Sequence, residues 1–443
     1  MNIQLSEHFT YKKLLRFILP SIIMMVFTSI YSVVDGIFVS NFVGKSAFAS
    51  VNLIMPYLMG ISALGFMIGT GGSAFVSKTL GEGKKELANQ YFSMLVTIAA
   101  IGGFVLSVLS FIFMRRIVMA FGAAGDLIDY CTLYGRISCI SLTAFMLQNV
   151  FQSFFVAAGK PQLGLKVIVA AGCTNIVLDA LFIGVLHFGI AGAAFATMTS
   201  EFIGGLLPVG YFFRKNDSLL HFVKPVFDRR VFLKTCTNGS SELMTNLSMS
   251  LVNALYNLQL MKIAGENGVA AYGAVMYVNF IFVATFLGYA IGCAPVISYH
   301  YGAGNHAELK NLYKKSMSII LVWGVILFGA AQLLAPVLSK IFVGYNTGLY
   351  AMTLHGFRVY AIAFLIIGIN IFGSSFFTAL NNGLISAVIS FLRTLMFQVI
   401  MVLTLPLWFG INGIWSAISV AEALTLIMTT TFFVRQKDKY HYL

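Results

Sequence analysis

Residues 14–42 read LLRFILPSIIMMVFTSIYSVVDGIFVSNF. One arginine, one aspartate and a few hydroxyls interrupt an apolar run longer than the ~20 residues a helix needs to cross a bilayer core of about 30 Å. The run is the first of twelve such blocks, at 14–42, 48–79, 89–114, 127–157, 161–185, 189–213, 231–261, 268–301, 309–335, 349–379, 383–406 and 410–434. Hydrophobic residues make up 59% of the 443 and charged residues 10%, with a mean hydropathy of +0.88. A chain this apolar cannot hide its surface from water in a soluble globule. The expected fold is an all-α polytopic membrane protein with twelve transmembrane helices.

A net charge of +13 is compatible with nucleic acid as a partner until its distribution is read. With the amino terminus inside, the outer segments hold Lys45, Arg115, Arg116, Lys262 and Lys340, while Arg136, Arg358 and Arg393 fall within helices; the rest of the 28 basic residues lie on the inner side. This positive-inside asymmetry puts both termini in the cytoplasm and leaves no nucleic-acid partner. The basic start and first span are expected to direct insertion without a cleaved signal. Cys131, Cys139, Cys173, Cys236 and Cys293 show no CxxC spacing, and the seven histidines no metal spacing. No triad or phosphate loop is present either, and "GTGGSAF" at Gly69 follows no strand, so its glycines read as helix-packing positions. Neither an enzyme nor a cofactor protein is expected.

An internal repeat organises the spans. Shifted by 221 residues, Gly44–Gly83 falls without gaps on Gly265–Gly304, matching Gly44 to Gly265, Gly71 to Gly292 and Gly83 to Gly304. The register persists with single-residue slips: Arg136 meets Arg358, Phe188-Gly189-Ile190 meets Phe409-Gly410-Ile411, and Glu201 meets Glu422. Because six crossings return the chain to its starting side, the halves are parallel repeats, as in some secondary transporters. The expected organisation is a six-helix lobe at 1–215, a cytoplasmic linker at 216–230 and a second six-helix lobe at 231–443.

Polar residues found in one copy alone stand out against that symmetry. Asp35 maps onto Tyr256, Asp179 onto Ile400 or Met401, Asn175 onto Met396 or Phe397, and Thr197 onto Ile418. At 1.5 Å per residue, Asp35, Asp179 and Thr197 each lie roughly 10 Å below the outer ends of helices 1, 5 and 6. Asn175 is one turn deeper than Asp179 on the same face. Two carboxylates sharing an apolar site resist double ionisation, so such a pair holds a proton near neutral pH. Alternatively, the oxygens of Asp35, Asn175, Asp179 and Thr197 replace the water shell of Na⁺. Glu201, one turn from Thr197, and Glu242 in "GSSELMTNL" are accessory candidates. Arg136, at similar depth on helix 4, is a further accessory or an ion-pair partner for the acids.

"YSVVDGIFVSNFVG", "NIVLDALFIGVLHFGIAGAAFATMTSE" and "APVISYHYGAG" resemble the multidrug and toxic compound extrusion (MATE) transporters, particularly the bacterial branch with carboxylates in the amino-terminal lobe. That resemblance implies a multi-pass protein of the bacterial cytoplasmic membrane, expected as a monomer, that exports cationic, amphipathic small molecules in exchange for H⁺ or Na⁺ by alternating access. It makes Asp35, Asn175, Asp179 and Thr197 the cation and proton site. Two departures are visible: Ala180 stands where many relatives carry a proline after the helix 5 aspartate, which predicts weaker bending, and "FRVYAIAFLIIGIN" in helix 10 lacks a carboxylate. The alternative is a lipid-linked oligosaccharide or polysaccharide flippase of the same broad superfamily, which needs a basic cavity drawn from Arg136, Arg358 and Arg393.

Overall fold

The computed structural model describes residues 3–344 and 346–443; the side chains of residues 45, 46 and 48 lie outside that description, including that of Lys45 from the charge count. The first lobe is α1 (Tyr11–Phe38, continued by a π-helical turn Val39–Val43), α2 (Lys45–Gly81), α3 (Lys85–Ala120), α4 (Leu127–Ala157), α5 (Pro161–Asp179, continued by a π-helical turn Ala180–Val185) and α6 (Gly189–Phe213). The next 74 residues, Arg229–Gly302, run as one helix except at Gly265, whose φ of 62° and ψ of −152° break it into α7 (229–264) and α8 (266–302). Then come α9 (His306–Val343), α10 (Thr347–Tyr360 through Ala361–Ala363 to Phe364–Ala379), α11 (Gly383–Phe391 through a π-helical turn Leu392–Met396 to Phe397–Phe409) and α12 (Ile411–Tyr440). Among the described residues, with 229–302 divided at Gly265, twelve apolar helices in two pseudo-symmetric lobes result, as the sequence predicts.

Helix boundaries have local causes. Thr10, Asp228, Asn305, Asn346 and Asn382 precede α1, α7, α9, α10 and α11, and each side chain accepts from a backbone N–H in the first turn. Two pairs of repeat-matched glycines make the reversals: Gly44 and Gly265 (φ 110° and 62°) between the first two spans of each lobe, and Gly189 and Gly410 (φ 61° and 55°) before the last. Any residue with a Cβ is strained there. Residues 214–228 between the lobes are not helical and lie along α3, where His221 and Val223 donate their N–H groups to Asn89 Oδ1 and Ser93 Oγ, both at 2.9 Å.

The lobes meet along two seams related by the repeat. On one, α2 crosses α7 with Gly71 against the Thr235 carbonyl and Gly239 against the Met67 carbonyl; on the other, α1 crosses α8 with Gly292 against Ile18 and Ser21. Lipid tails are as apolar as leucine, so helices associate here through close packing, and small residues permit the approach. A third contact closes the end that holds both termini, where Gly81 of α2 meets the Tyr299 carbonyl and Gly302 of α8 meets that of Lys78. The first half of α1 departs from a clean division into lobes, since Leu14, Phe17 and Ile18 share a hydrophobic cluster with Val296, Ile297 and Phe376. Apolar side chains such as Phe104 and Leu407 face outward, toward the lipid. Cys173 is also exposed, a surface thiol.

Candidate functional site

Asp35 is one turn before the π-helical turn that ends α1, and Asp179 is the last α-helical residue of α5 before Ala180–Val185. A π-turn widens the hydrogen-bonding spacing and loosens a helix at one point, often at functional sites. Ala180 opens the π-turn Ala180–Val185, so α5 is locally irregular at this point without a proline. α1 reaches α5 closely because Gly172 leaves room for Phe27 and Tyr31.

This packing brings the two acids together. Asp35 and Asp179 sit where α1 meets α5, near enough for each carboxyl to feel the other. Asp179 is fully buried and Asn175 almost so. Among the described residues no donor serves Asp35 Oδ1, either oxygen of Asp179 or Asn175 Oδ1, and Thr197 Oγ1 likewise has no partner. An unsatisfied buried polar atom costs about 1–3 kcal/mol, and native proteins carry few of them. Others are spread over both lobes, but the five named here belong to four residues of a single site.

Asp35, Asn175, Thr197 and Glu201 line a cavity of about 100 Å³ in that lobe. Glu201 Oε2 accepts from the Ser141 hydroxyl at 2.5 Å. Tyr31, Tyr134, Ser138 and Ser200 complete the polar wall and are absent from the sequence-based set. Their signal was helical spacing, with Tyr31 one turn before Asp35, Tyr134 one turn before Ser138, and Ser200 beside Glu201. The polar donors are all oxygens, which suits a proton or a hard monovalent cation, and Met55 and Met59 belong to the rest of the wall. Among the described residues no cluster of three His, Cys, Asp or Glu exists.

Two accessory candidates lie elsewhere. Arg136 is a correction: its side chain is exposed, with the guanidinium 5.5 Å from the centre of the Phe111 ring, and it reaches neither acid. On α4 the wall-lining Tyr134 is two residues, about 200°, away from it, so equal depth did not mean equal facing. Glu242 is half-buried and lines a separate cavity of about 100 Å³ between the lobes with Met25, Phe66, Thr70 and Ser153.

The second lobe has its own cavity of about 160 Å³, with a different lining. Tyr256, the repeat partner of Asp35, stacks on Tyr272 with centroids 4.9 Å apart and rings 10° from parallel. Arg393 also lines this cavity but is paired with Glu422 at 2.9 Å, and Arg358 is exposed.

The repeat geometry has a counterpart in known proteins. The MatE family model matches the chain twice, over residues 20–181 and 243–404, once in each lobe. This chain belongs to the MatE family. MatE relatives include the multidrug export protein MepA of Staphylococcus haemolyticus (strain JCSC1435), 24% identical over 425 residues that cover 95% of this chain and 92% of the relative. MepA of Staphylococcus aureus (strain MSSA476) is 22% identical over 437 residues, covering 97% and 94%. Among solved structures, a MATE protein in complex with MaL6 superposes with a TM-score of 0.93 at 23% identity over 98% of both chains. An outward-facing multidrug resistance MATE transporter superposes with a TM-score of 0.92 at the same identity and coverage. Both likenesses establish the MatE fold.

Proposed function

We propose that this chain exports cationic, amphipathic small molecules by exchange for H⁺ or Na⁺. One observation carries the reading: two carboxyl groups, Asp35 and Asp179, share a buried site whose neighbouring oxygens on Asn175 and Thr197 lack donors. Two adjacent carboxyls are held together by one shared proton, or by a cation that accepts oxygens from both. Either occupant leaves when the site meets an aqueous phase poor in it. The named relatives are multidrug export proteins, which supports organic cations as cargo.

Transport requires the occupant to favour one arrangement of the lobes over the other. In this reading the π-turns beside Asp35 and Asp179 are the points at which α1 and α5 yield, so loss or gain of the ion is transmitted to α1, which also forms a lobe seam with α8. In the arrangement described, the seam is closed at the end holding the termini, and we assign that end to the cytoplasm on the basic-residue asymmetry. The location follows as the bacterial cytoplasmic membrane, with the chain acting as a monomer, residues 1–215 and 231–443 moving as the two bodies and 216–230 joining them. Glu242, facing the space between the lobes, serves as a second contact for cationic cargo.

The flippase alternative loses its basis. It needs free cations in the cleft, whereas Arg136 and Arg358 are exposed and Arg393 is engaged with Glu422. Transport, not catalysis, is what the family supports. The test is Asp35→Asn in proteoliposomes under an imposed pH or Na⁺ gradient. Gradient-driven substrate movement is expected to fall to the protein-free level, and wild-type movement would refute the site.

A further inference from the structure

We propose that a basic recess at the base of α1 and α5 binds the phosphate headgroup of an anionic phospholipid, with its acyl chains lying along exposed apolar stripes of these helices. The recess, about 260 Å³, opens at the end that holds the termini and is lined by Arg16 of α1, by Lys160, Gln162 and Lys166 around the start of α5, and by Tyr211 of α6. No carboxylate is among its lining residues. Lys160 shares its charge with the exposed Asp217 at 2.7 Å, and among the described residues Arg16 and Lys166 form no ion pair. Three cations therefore converge on a concave surface with one acid at its edge.

The surroundings select a lipid over a free anion. On α1, Leu19 and Ile23 follow Arg16 along one exposed stripe, 51% and 43% accessible. On α5, Ala170, Cys173 and Val177 follow Lys166 along another. Each stripe is apolar, points away from the protein and is headed by a cation of the recess. A soluble phosphate uses the cations and leaves the stripes unexplained, whereas a phospholipid uses both, as basic pockets between membrane helices do. The same two helices carry Asp179, 13 residues beyond Lys166, and Asp35, 19 residues beyond Arg16, roughly 20 and 29 Å away at 1.5 Å per residue.

The test is titration of the purified full-length chain with phosphatidylglycerol, phosphatidylcholine or inorganic phosphate, read by native mass spectrometry. Phosphatidylglycerol is expected to bind more tightly than phosphatidylcholine. Lys166→Gln should weaken it by about fivefold and Arg16→Gln with Lys166→Gln by roughly 25-fold, from the usual worth of one basic side chain at an anionic headgroup. Lys85→Gln with Lys314→Gln, an equal loss of charge elsewhere at the same end, should leave binding within about twofold, below the worth of one such contact. Lys166 is exposed, so its single variant reports even if the double variant fails to fold. Unchanged affinity in Lys166→Gln, an equal loss in the control pair, or displacement of the lipid by equimolar inorganic phosphate would each overturn the proposal.

Discussion

Arg393 holds Glu422 inside the second lobe, donating through Nε to Oε1 at 2.9 Å with the side chains 11% and 1% exposed. Asn370 donates to the other oxygen at 2.7 Å, and the Thr429 hydroxyl donates to Asn370 Oδ1. One repeat earlier stand Glu201 for Glu422, Gln148 for Asn370 and Ala171 or Gly172 for Arg393. The first lobe thus keeps the acid and the amide but has no built-in cation, and fills that corner with Phe27 and Tyr31 against Gly172. Sequence symmetry therefore conceals an electrostatic difference: one lobe neutralises its buried acid internally, and the other leaves its acids without a built-in cation.

Removing Arg393 should be costly in a specific way. Arg393→Gln leaves Glu422 buried without its cation, and breaking a buried pair from one side costs about 3–5 kcal/mol. Adding Glu422→Gln should restore most of that loss, because no orphan charge remains. Thermal unfolding in detergent checks both; a single variant as stable as the wild type would show that the pair does not hold the second lobe together.

In the first lobe the expectation is reversed, with transport failing and stability kept. Asp179→Asn preserves shape but cannot share a proton or neutralise a cation, so gradient-driven uptake into proteoliposomes should vanish while the unfolding midpoint stays level or rises. Thr197→Val removes a single oxygen and should raise the ion concentration for half-maximal uptake by roughly tenfold, near the low end of one charge-assisted hydrogen bond. An unchanged midpoint concentration would take Thr197 out of the ion's shell.

The fold was legible because a bilayer imposes a length and polarity on each span, and because Gly44 and Gly265, or Gly189 and Gly410, must recur wherever the chain reverses with positive φ. Asp35, Asn175, Asp179 and Thr197 were legible as departures from the repeat at a common depth. Depth along a helix gives height but not azimuth, which is why Arg136 was placed with the acids and is found against Phe111. The pairing of Arg393 with Glu422 joins residues on different helices, beyond any local pattern. The π-turns after Asp35 and Asp179 likewise leave no residue signature, since they shift backbone hydrogen bonds without demanding a particular side chain.

The α2–α7 seam should tolerate little bulk. Gly239 lies against the Met67 carbonyl, so a side chain there pushes two backbones apart at the closed end. Gly239→Leu should open that end, abolish transport and make Cys236, half-buried one turn earlier, react several-fold faster with a maleimide in the protein's native bilayer. Gly239→Ala should give a smaller change in the same direction. Wild-type labelling and transport in Gly239→Leu would mean that the seam yields without consequence.

The segment before α1 is fastened to the other lobe around the carboxylate of Glu308. Glu308, at the start of α9, accepts from the Phe9 N–H at 2.9 Å and from Asn311 Nδ2 at 2.8 Å, and its second oxygen faces His8 Nδ1 at 2.5 Å. Lys315 donates to the Phe9 carbonyl at 2.6 Å, and the fully buried Phe9 ring sits edge-on to both Phe17 and His300. Glu308→Ala removes the charged acceptor while leaving Phe9 its apolar socket, so residues 3–10 should loosen without the lobe unfolding. A charge-assisted bond is worth roughly 1.5–3 kcal/mol, which predicts at least tenfold faster hydrogen exchange at the Phe9 amide and little change in the core of α9. Exchange at Phe9 that matches the wild type would show that the apolar socket alone holds the segment, and that Glu308 is a consequence of its docking and not the cause.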